Sequence, residues 1–179
     1  EKAFHRLGEH YLAGTEHLHR DWTLEHEYPL TQELRAMSHI WKAVGRDNYV
    51  VAAKGSPEAI IDLCHLDTAT QQSIATAADR MARQGLRVLG VAQALFSGRS
   101  WPRSEHDFDF VFVGLIGLAD PLRQDIPDAI RQCREAGIRV IMITGDYPLT
   151  ASTIARQAGL APGEVLSGDA LAAMSETTL

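Results

Sequence analysis

The chain of 179 residues is long enough for one ordinary domain, or one and a fraction, with its own hydrophobic core. Apolar residues make up 45% and charged residues 22%, which excludes a disordered or fibrous chain, and the net charge of −6 argues against a nucleic-acid binder or an anionic-membrane binder. Two cysteines, Cys64 and Cys133, are too few for a disulfide framework or a zinc cluster, and the longest near-continuous apolar run, 110–119, is about half of the ~20 residues that a spanning helix needs.

The chain opens in mid-helix. Phe4, Leu7 and Tyr11 fall at i, i+3 and i+7, and neither a capping residue nor an initiator Met precedes them, so the start reads as a cut end. A polar stretch, 15–26, leads to Glu27-Tyr28-Pro29-Leu30. Residues 37–44 and 49–53 read as two strands of a hairpin, with Gly45-Arg46-Asp47-Asn48 supplying the turn. Ser56 is a suitable N-cap and Pro57 a suitable first helical residue, which predicts a helix to about Leu63. A second helix covers 69–84, with Ile74, Ala78, Met81 and Ala82 as its apolar stripe and Gly85 as its stop. Residues 86–96 and 108–118 are strands, joined by a polar loop with Trp and Pro.

After residue 119 the pattern changes. Asp120-Pro121-Leu122-Arg123 breaks the strand. Ile126, Ala129, Ile130 and Cys133 mark a helix closed by Gly137, and 138–143 is apolar apart from Arg139, as in a strand buried on both faces of a parallel sheet. Thr144-Gly145-Asp146 ends it, and a helix carrying Ala151, Ile154, Ala155 and Ala158 closes at Gly159. The first part is thus expected to be an antiparallel α+β domain and the second a piece of α/β structure.

Three groups of residues bear on chemistry. Thr144-Gly145-Asp146 stands where open α/β sheets bind ligands, and could grip a phosphoryl group and its magnesium ion; alternatively, Asp146 merely caps the following helix. Lys54-Gly55 puts a cation and an unobstructed backbone at a strand-to-helix turn, a setting that suits phosphate; a solvated lysine is the plainer reading. The spacing of a Walker A loop is absent, as is G-x-G-x-x-G. His5, His10, His17, His19 and His26 crowd the first 26 residues, with His17 and His19 on one face if that segment is a strand, but no clear third ligand accompanies them, and surface histidines are the expectation. Trp22, Trp41 and Trp101 are expected to pack.

From Asp120 to Leu160 the sequence DPLRQDIPDAIRQCREAGIRVIMITGDYPLTASTIARQAGL resembles the P-type cation-transporting ATPases, whose pattern runs D-P-x-R, a helix ending A-G-I, a strand V-x-M-I-T-G-D, then T-A-x-x-I-A-x-x-x-G. KGSPEAI (54–60) is similar to their K-G-A-P-E motif, EYPLTQELRAMS (27–38) to E-x-P-F-x-S-x-x-K-x-M-S, and GLRVLGVA (85–92) to G-L-R-V-L-A-x-A. Four motifs in the right order cover most of the chain. The 27–41 stretch leans toward the calcium-pump-like branch, and no His-Pro pair marks the heavy-metal branch.

The resemblance implies an α+β nucleotide-binding domain over 1–119, an antiparallel sheet with flanking helices, its N-terminus truncated. It implies for 120–179 an incomplete Rossmann-like portion of the haloacid-dehalogenase-like phosphorylation domain, less stable than the first part. Lys54, Gly55, Arg35 and Arg87 would then face ATP, with Gln32 and Met37 in the same site and Glu1 near the adenine amino group. Asp120 and Arg123 would form a hinge near ribose or phosphates. Thr144, Gly145 and Asp146 would meet the phosphoryl group and Mg²⁺. Leu30 stands where relatives carry the Phe that stacks on adenine, and leucine has no π-system. The D-K-T-G-T and G-D-G-x-N-D motifs are absent, so no residue here is the aspartyl nucleophile; neither a catalytic nor a metal residue is assigned. The implied partners are ATP and the remaining phosphorylation, actuator and transmembrane domains of the same pump, on the cytoplasmic side of a membrane, with neither nucleic acid nor the transported cation bound here. A soluble haloacid-dehalogenase-type phosphatase and a nucleotide-independent binding module are the alternatives.

Overall fold

The computed structural model describes residues 2–15, 18–160, 163 and 165–175. Five strands form one antiparallel sheet in chain order: β1 (Thr23–Tyr28), β2 (Ala36–Lys42), β3 (Tyr49–Gly55), β4 (Arg87–Phe96) and β5 (Val111–Leu118). Helix α1 (Lys2–Tyr11) precedes the sheet. Helices α2 (Pro57–Leu63) and α3 (Thr68–Ala82) join β3 to β4, and α4 (Ile126–Glu135), α5 (Pro148–Gln157) and α6 (Gly168–Ala173) follow it.

Side-chain alternation decides which face is core. Ala36, Ser38 and Ile40 of β2 pair beside Val51, Ala53 and Gly55 of β3, and all six are buried. Met37, His39, Trp41, Val50, Ala52 and Lys54 alternate with them and leave the opposite face. Ala92 and Ala94 of β4 complete the core, with Ile60, Leu63, Phe108 and Phe110. The Ser56 hydroxyl accepts from Ala59 N at 3.2 Å and Pro57 begins α2, as its sequence requires. Ile60 can reach the sheet because residue 90 is glycine: a Cβ there would lie 2.9 Å from Ile60 Cβ. Asp67 caps α3 by accepting from Thr70 and Ala69, and these bonds, the Thr70 hydroxyl first, hold its carboxyl below the usual range. Gly85 ends the helix segment at φ +79°.

The loop between β4 and β5 folds back over the core. Trp101 meets Tyr49 edge-on with ring centroids 4.8 Å apart, and the Tyr28 hydroxyl donates to Pro102 O at 2.6 Å. Beneath them, the fully buried Ser38 hydroxyl donates to Glu105, itself only 7% exposed. Burial pushes the Glu105 carboxyl up, against the opposing effects of the Ser38 bond and of His106. A carboxyl raised in the folded state holds its proton more tightly there, so its contribution to stability declines as pH climbs from the ordinary carboxylate range. Glu105→Gln keeps an acceptor for Ser38 and removes the buried ionisation. It is expected to be more stable than the unmutated chain at neutral pH and to converge with it below the ordinary carboxylate range. Urea melts at a series of pH values read this; a pH-independent difference would count against it.

Two expectations need correction. The end of the polar stretch, with Glu27 and Tyr28 after it, forms β1, an edge strand bonded to β2 alone, with an irregular register between Leu24 and His26. Its side chains are mostly exposed, so it carries no apolar alternation to announce it. Described residues before it, including His19, lie outside any strand, and His19 stacks on Trp22 at 3.8 Å; His17 lies outside the described residues. Conversely, 138–143 is not a strand. Ile138, Ile141 and Ile143 are 58%, 68% and 93% exposed. A parallel strand is stabilised by neighbours on both sides, and none of the five strands pairs with it. Helix α4 accordingly buries no residue, whereas α5 buries Thr150, Ala151 and Thr153. The Thr150 hydroxyl donates to Leu86 O at 2.9 Å and the Tyr147 hydroxyl to Asp79 of α3 at 3.3 Å. Amide protons of 138–143 are expected to exchange with solvent faster than those of β4, and slower exchange would contradict the unpaired backbone described here.

Candidate functional site

In a sheet whose strands run up and down in chain order, alternate strand ends share an edge. β1, β3 and β5 finish, and β2 and β4 begin, at one end: Tyr28 is opposite Ser38, Ala36 opposite Gly55, Gly55 opposite Gly90, and Arg87 opposite Leu118. That end collects most of the residues singled out in the sequence. Leu30 and Gln32 lie exposed in the 29–35 turn, Leu30 at 62%, and the turn is closed by Thr31 N donating to Leu34 O at 3.2 Å and by Leu34 N donating to the Thr31 hydroxyl at 3.0 Å. Arg35 follows with its side chain exposed and its carbonyl accepting from Ser56 N at 2.9 Å. Met37 and Lys54 are direct cross-strand partners, with Val91 on the other side of Lys54, all on the face that α2 and α3 leave uncovered. Arg87 shares that face by its even spacing from Val91 and is exposed.

Lys54 is half-buried, and its ammonium lies over the ring of Phe4, 5.5 Å from the centroid. Helix α1 therefore reaches the same sheet end. On this face too, His39 Nε2 lies 3.0 Å from a Glu27 carboxylate oxygen. Gly55 is required for a reason internal to the chain: a Cβ there would meet Arg35 O at 2.4 Å and Ala36 Cα at 2.6 Å. Three cations, Arg35, Lys54 and Arg87, thus border a surface floored by Met37 and Val91 and edged by Gly55. Such an arrangement suits an anion with an apolar body.

Asp120 lies exposed two residues beyond Leu118, at the same end. Arg123 is exposed and pairs with Asp125 at 3.2 Å. The remaining group stands apart. Thr144, Gly145 and Asp146 precede α5, which Tyr147 and Thr150 tie to α3 and Leu86, whereas Lys54 and Arg87 leave the other face. The Thr144 hydroxyl donates to an Asp146 carboxylate oxygen at 3.1 Å and accepts from Asp146 N at 3.1 Å. The capping alternative for Asp146 is overturned, because the cap position of α5 is Tyr147 and no side chain bonds there. Glu1 lies outside the described residues. Sequence reading assigned Phe4 only to a helix stripe; its approach to Lys54 joins elements far apart in the chain, and no local pattern announces it. Among the described residues no group of three His, Cys, Asp or Glu side chains could hold a metal ion, and no helix is long and apolar enough to cross a membrane.

A five-stranded antiparallel sheet with α2 and α3 on one face defines an α+β domain. The chain belongs to the P-type ATPases: residues 1–125 match the family described as P-type ATPase, cytoplasmic domain N. It is 34% identical over 172 residues to a sodium/potassium exporting P-type ATPase of Schizosaccharomyces pombe, covering 90% of this chain and 16% of that protein. It is 34% identical over 150 residues to the potassium-transporting ATPase alpha chain 2 of Rattus norvegicus, covering 73% of this chain and 14% of that one. It is 37% identical over 132 residues to the human sodium/potassium-transporting ATPase subunit alpha-2, covering 63% of this chain and 13% of that one. The chain therefore spans less than a fifth of the length of the relatives it matches.

Proposed function

We propose that this chain holds ATP within a cation-transporting P-type ATPase and presents its γ-phosphate to an aspartate outside these 179 residues. Residues 1–119 act as the nucleotide-binding domain and 120–179 as part of the phosphorylation domain. The observation that carries this reading is the gathering of Arg35, Lys54, Gly55 and Arg87 at one sheet end, although they come from three separate strand ends of the chain. Lys54, Arg35 and Arg87 bind and orient the phosphates, Met37 and Leu30 line the apolar part, Gln32 adds to the polar rim, and Glu1 has the role toward the adenine amino group that the family resemblance implies. Asp120 and Arg123 serve as the hinge. Thr144, Gly145 and Asp146 act on the phosphoryl group once the rest of the pump is present.

ATP fits the residues present: cations for its oxygens and an apolar floor for its base. Mg²⁺ fits as an ion carried in by the phosphates, which it neutralises for transfer, rather than one held by a ready-made protein cluster. The partners are the other domains of the same pump, on the cytoplasmic side of the membrane. Positioning and electrostatics are the whole contribution of such a piece to phosphoryl transfer, and the chain alone is expected to bind ATP weakly without sustained hydrolysis. Titration with millimolar MgATP, followed by backbone amide chemical shifts, should move Lys54, Gly55 and Arg87 saturably. Absence of any shift would favour a nucleotide-independent module instead, and turnover of small phosphoesters by this chain would favour a phosphatase.

A further inference from the structure

We propose that Phe4 supplies the aromatic surface on which the purine of a bound nucleotide rests, replacing the ring that Leu30 lacks; this rests on the reading of the sheet end as a nucleotide site. Leu30 is 62% exposed and aliphatic, so it can cover a base but offers no π-face. Phe4 is the aromatic side chain that the structure brings to Lys54, with the ammonium 5.5 Å from the ring centroid, within cation–π range. The rest of the apolar stripe of α1 does not explain this placement: Leu7 is 52% exposed and Tyr11 71% exposed, so the helix is not seated in the core by its stripe. Phe4 itself is only half-buried, which leaves part of its ring accessible.

The pair has a built-in exchange of partners. In the structure the Lys54 ammonium rests on the ring. An arriving nucleotide brings anionic oxygens, which are stronger partners for an ammonium than a neutral ring. As the ammonium turns to the phosphates, the ring face is released to the base. Stacking is sequence-tolerant in kind but stronger for larger bases, so a ring here favours purine over pyrimidine nucleotides.

Phe4→Leu, which keeps an apolar side chain and removes the ring, is expected to weaken ATP binding by about tenfold, as loss of one base–aromatic stack does, and to weaken UTP binding less, so that the ATP-to-UTP preference narrows. Phe4→Tyr keeps the ring and is expected to retain both affinity and preference. Isothermal titration of the full chain and both variants reads these values, with the thermal unfolding midpoint of each variant measured alongside. If the unmutated chain binds no ATP, the nucleotide-site reading falls and this proposal with it. If the chain binds ATP but Phe4→Leu matches it in affinity and in preference for ATP over UTP, the proposal alone is overturned. Equal losses in Phe4→Tyr and Phe4→Leu also overturn it, because the ring would then not be the feature that matters.

Discussion

Lys54→Ala is expected to weaken ATP binding by about ten- to a hundredfold, the loss that follows from removing one charge-assisted contact worth ~1.5–3 kcal/mol. Two features make this residue the most sensitive of the three cations. Arg35 and Arg87 are exposed, and solvent and salt screen them. Lys54 is half-buried between Met37 and Val91, in the strand that occupies the middle of the sheet, so its stem is held and its charge is less screened. Its side chain leaves the face opposite the core, and the substitution should not alter folding; the urea midpoint of the variant is therefore expected to stay close to that of the unmutated chain. Lys54→Arg should keep part of the affinity. Equal affinity in Lys54→Ala and the unmutated chain would remove the central cation from the site and sink the assignment.

Gly55→Ala is expected to cost at least ~1–3 kcal/mol of stability, the range for forcing extra atoms into filled space. The usual escape, rotation of a flexible side chain, does not exist here, because the added Cβ meets Arg35 O and Ala36 Cα, both backbone. Arg35 O also accepts the Ser56 N–H, the bond just ahead of the α2 cap. Displacing that carbonyl therefore loosens the end of β3 and the start of α2 together. Gly114→Ala provides the contrast: nothing lies within 4 Å of a Cβ built there, and its effect should fall within about 0.5 kcal/mol. Urea unfolding of the two variants decides the matter, and similar midpoints for both would contradict the close contact at Gly55.

The elements that were legible in the sequence are those whose signals are local. Ser56-Pro57 marks the start of α2 and Gly85 the stop after α3, and the structure uses each as the local rules require. Alternation in β2 and β3 shows because one side of each is core and the other is not. β1 escaped notice because an edge strand can be polar on both faces and hold its place by backbone bonds to one neighbour. Residues 138–143 misled in the opposite way. Ile, Val and Met in a row declare that a segment would gain from burial, but burial needs neighbours, and that information is not in the six residues themselves. The site divides similarly. Lys54, Gly55, Arg35 and Arg87 stood out through motifs, and their assembly at one edge follows from the register. The contact of Phe4 with Lys54, like the bond from Ser38 to Glu105, depends on how separate elements pack.

The up-and-down order of the strands has a consequence for how the chain reaches this structure. β1 with β2, and β2 with β3, close over short connections, and β4 with β5 over a moderate one. Only β3 with β4 spans the long excursion through α2 and α3. Loop-closure entropy rises with the length enclosed, so that junction is the most demanding step in assembling the sheet, eased by helices that shorten the excursion as they form. It is also the junction that seats Lys54 beside Val91 and aligns β4, carrying Arg87, with the other cations. Completion of the sheet and the gathering of Lys54 and Arg87 at one sheet end are thus one kinetic event, and a chain stalled before it would hold a three-stranded meander and a separate hairpin, with the two cations apart.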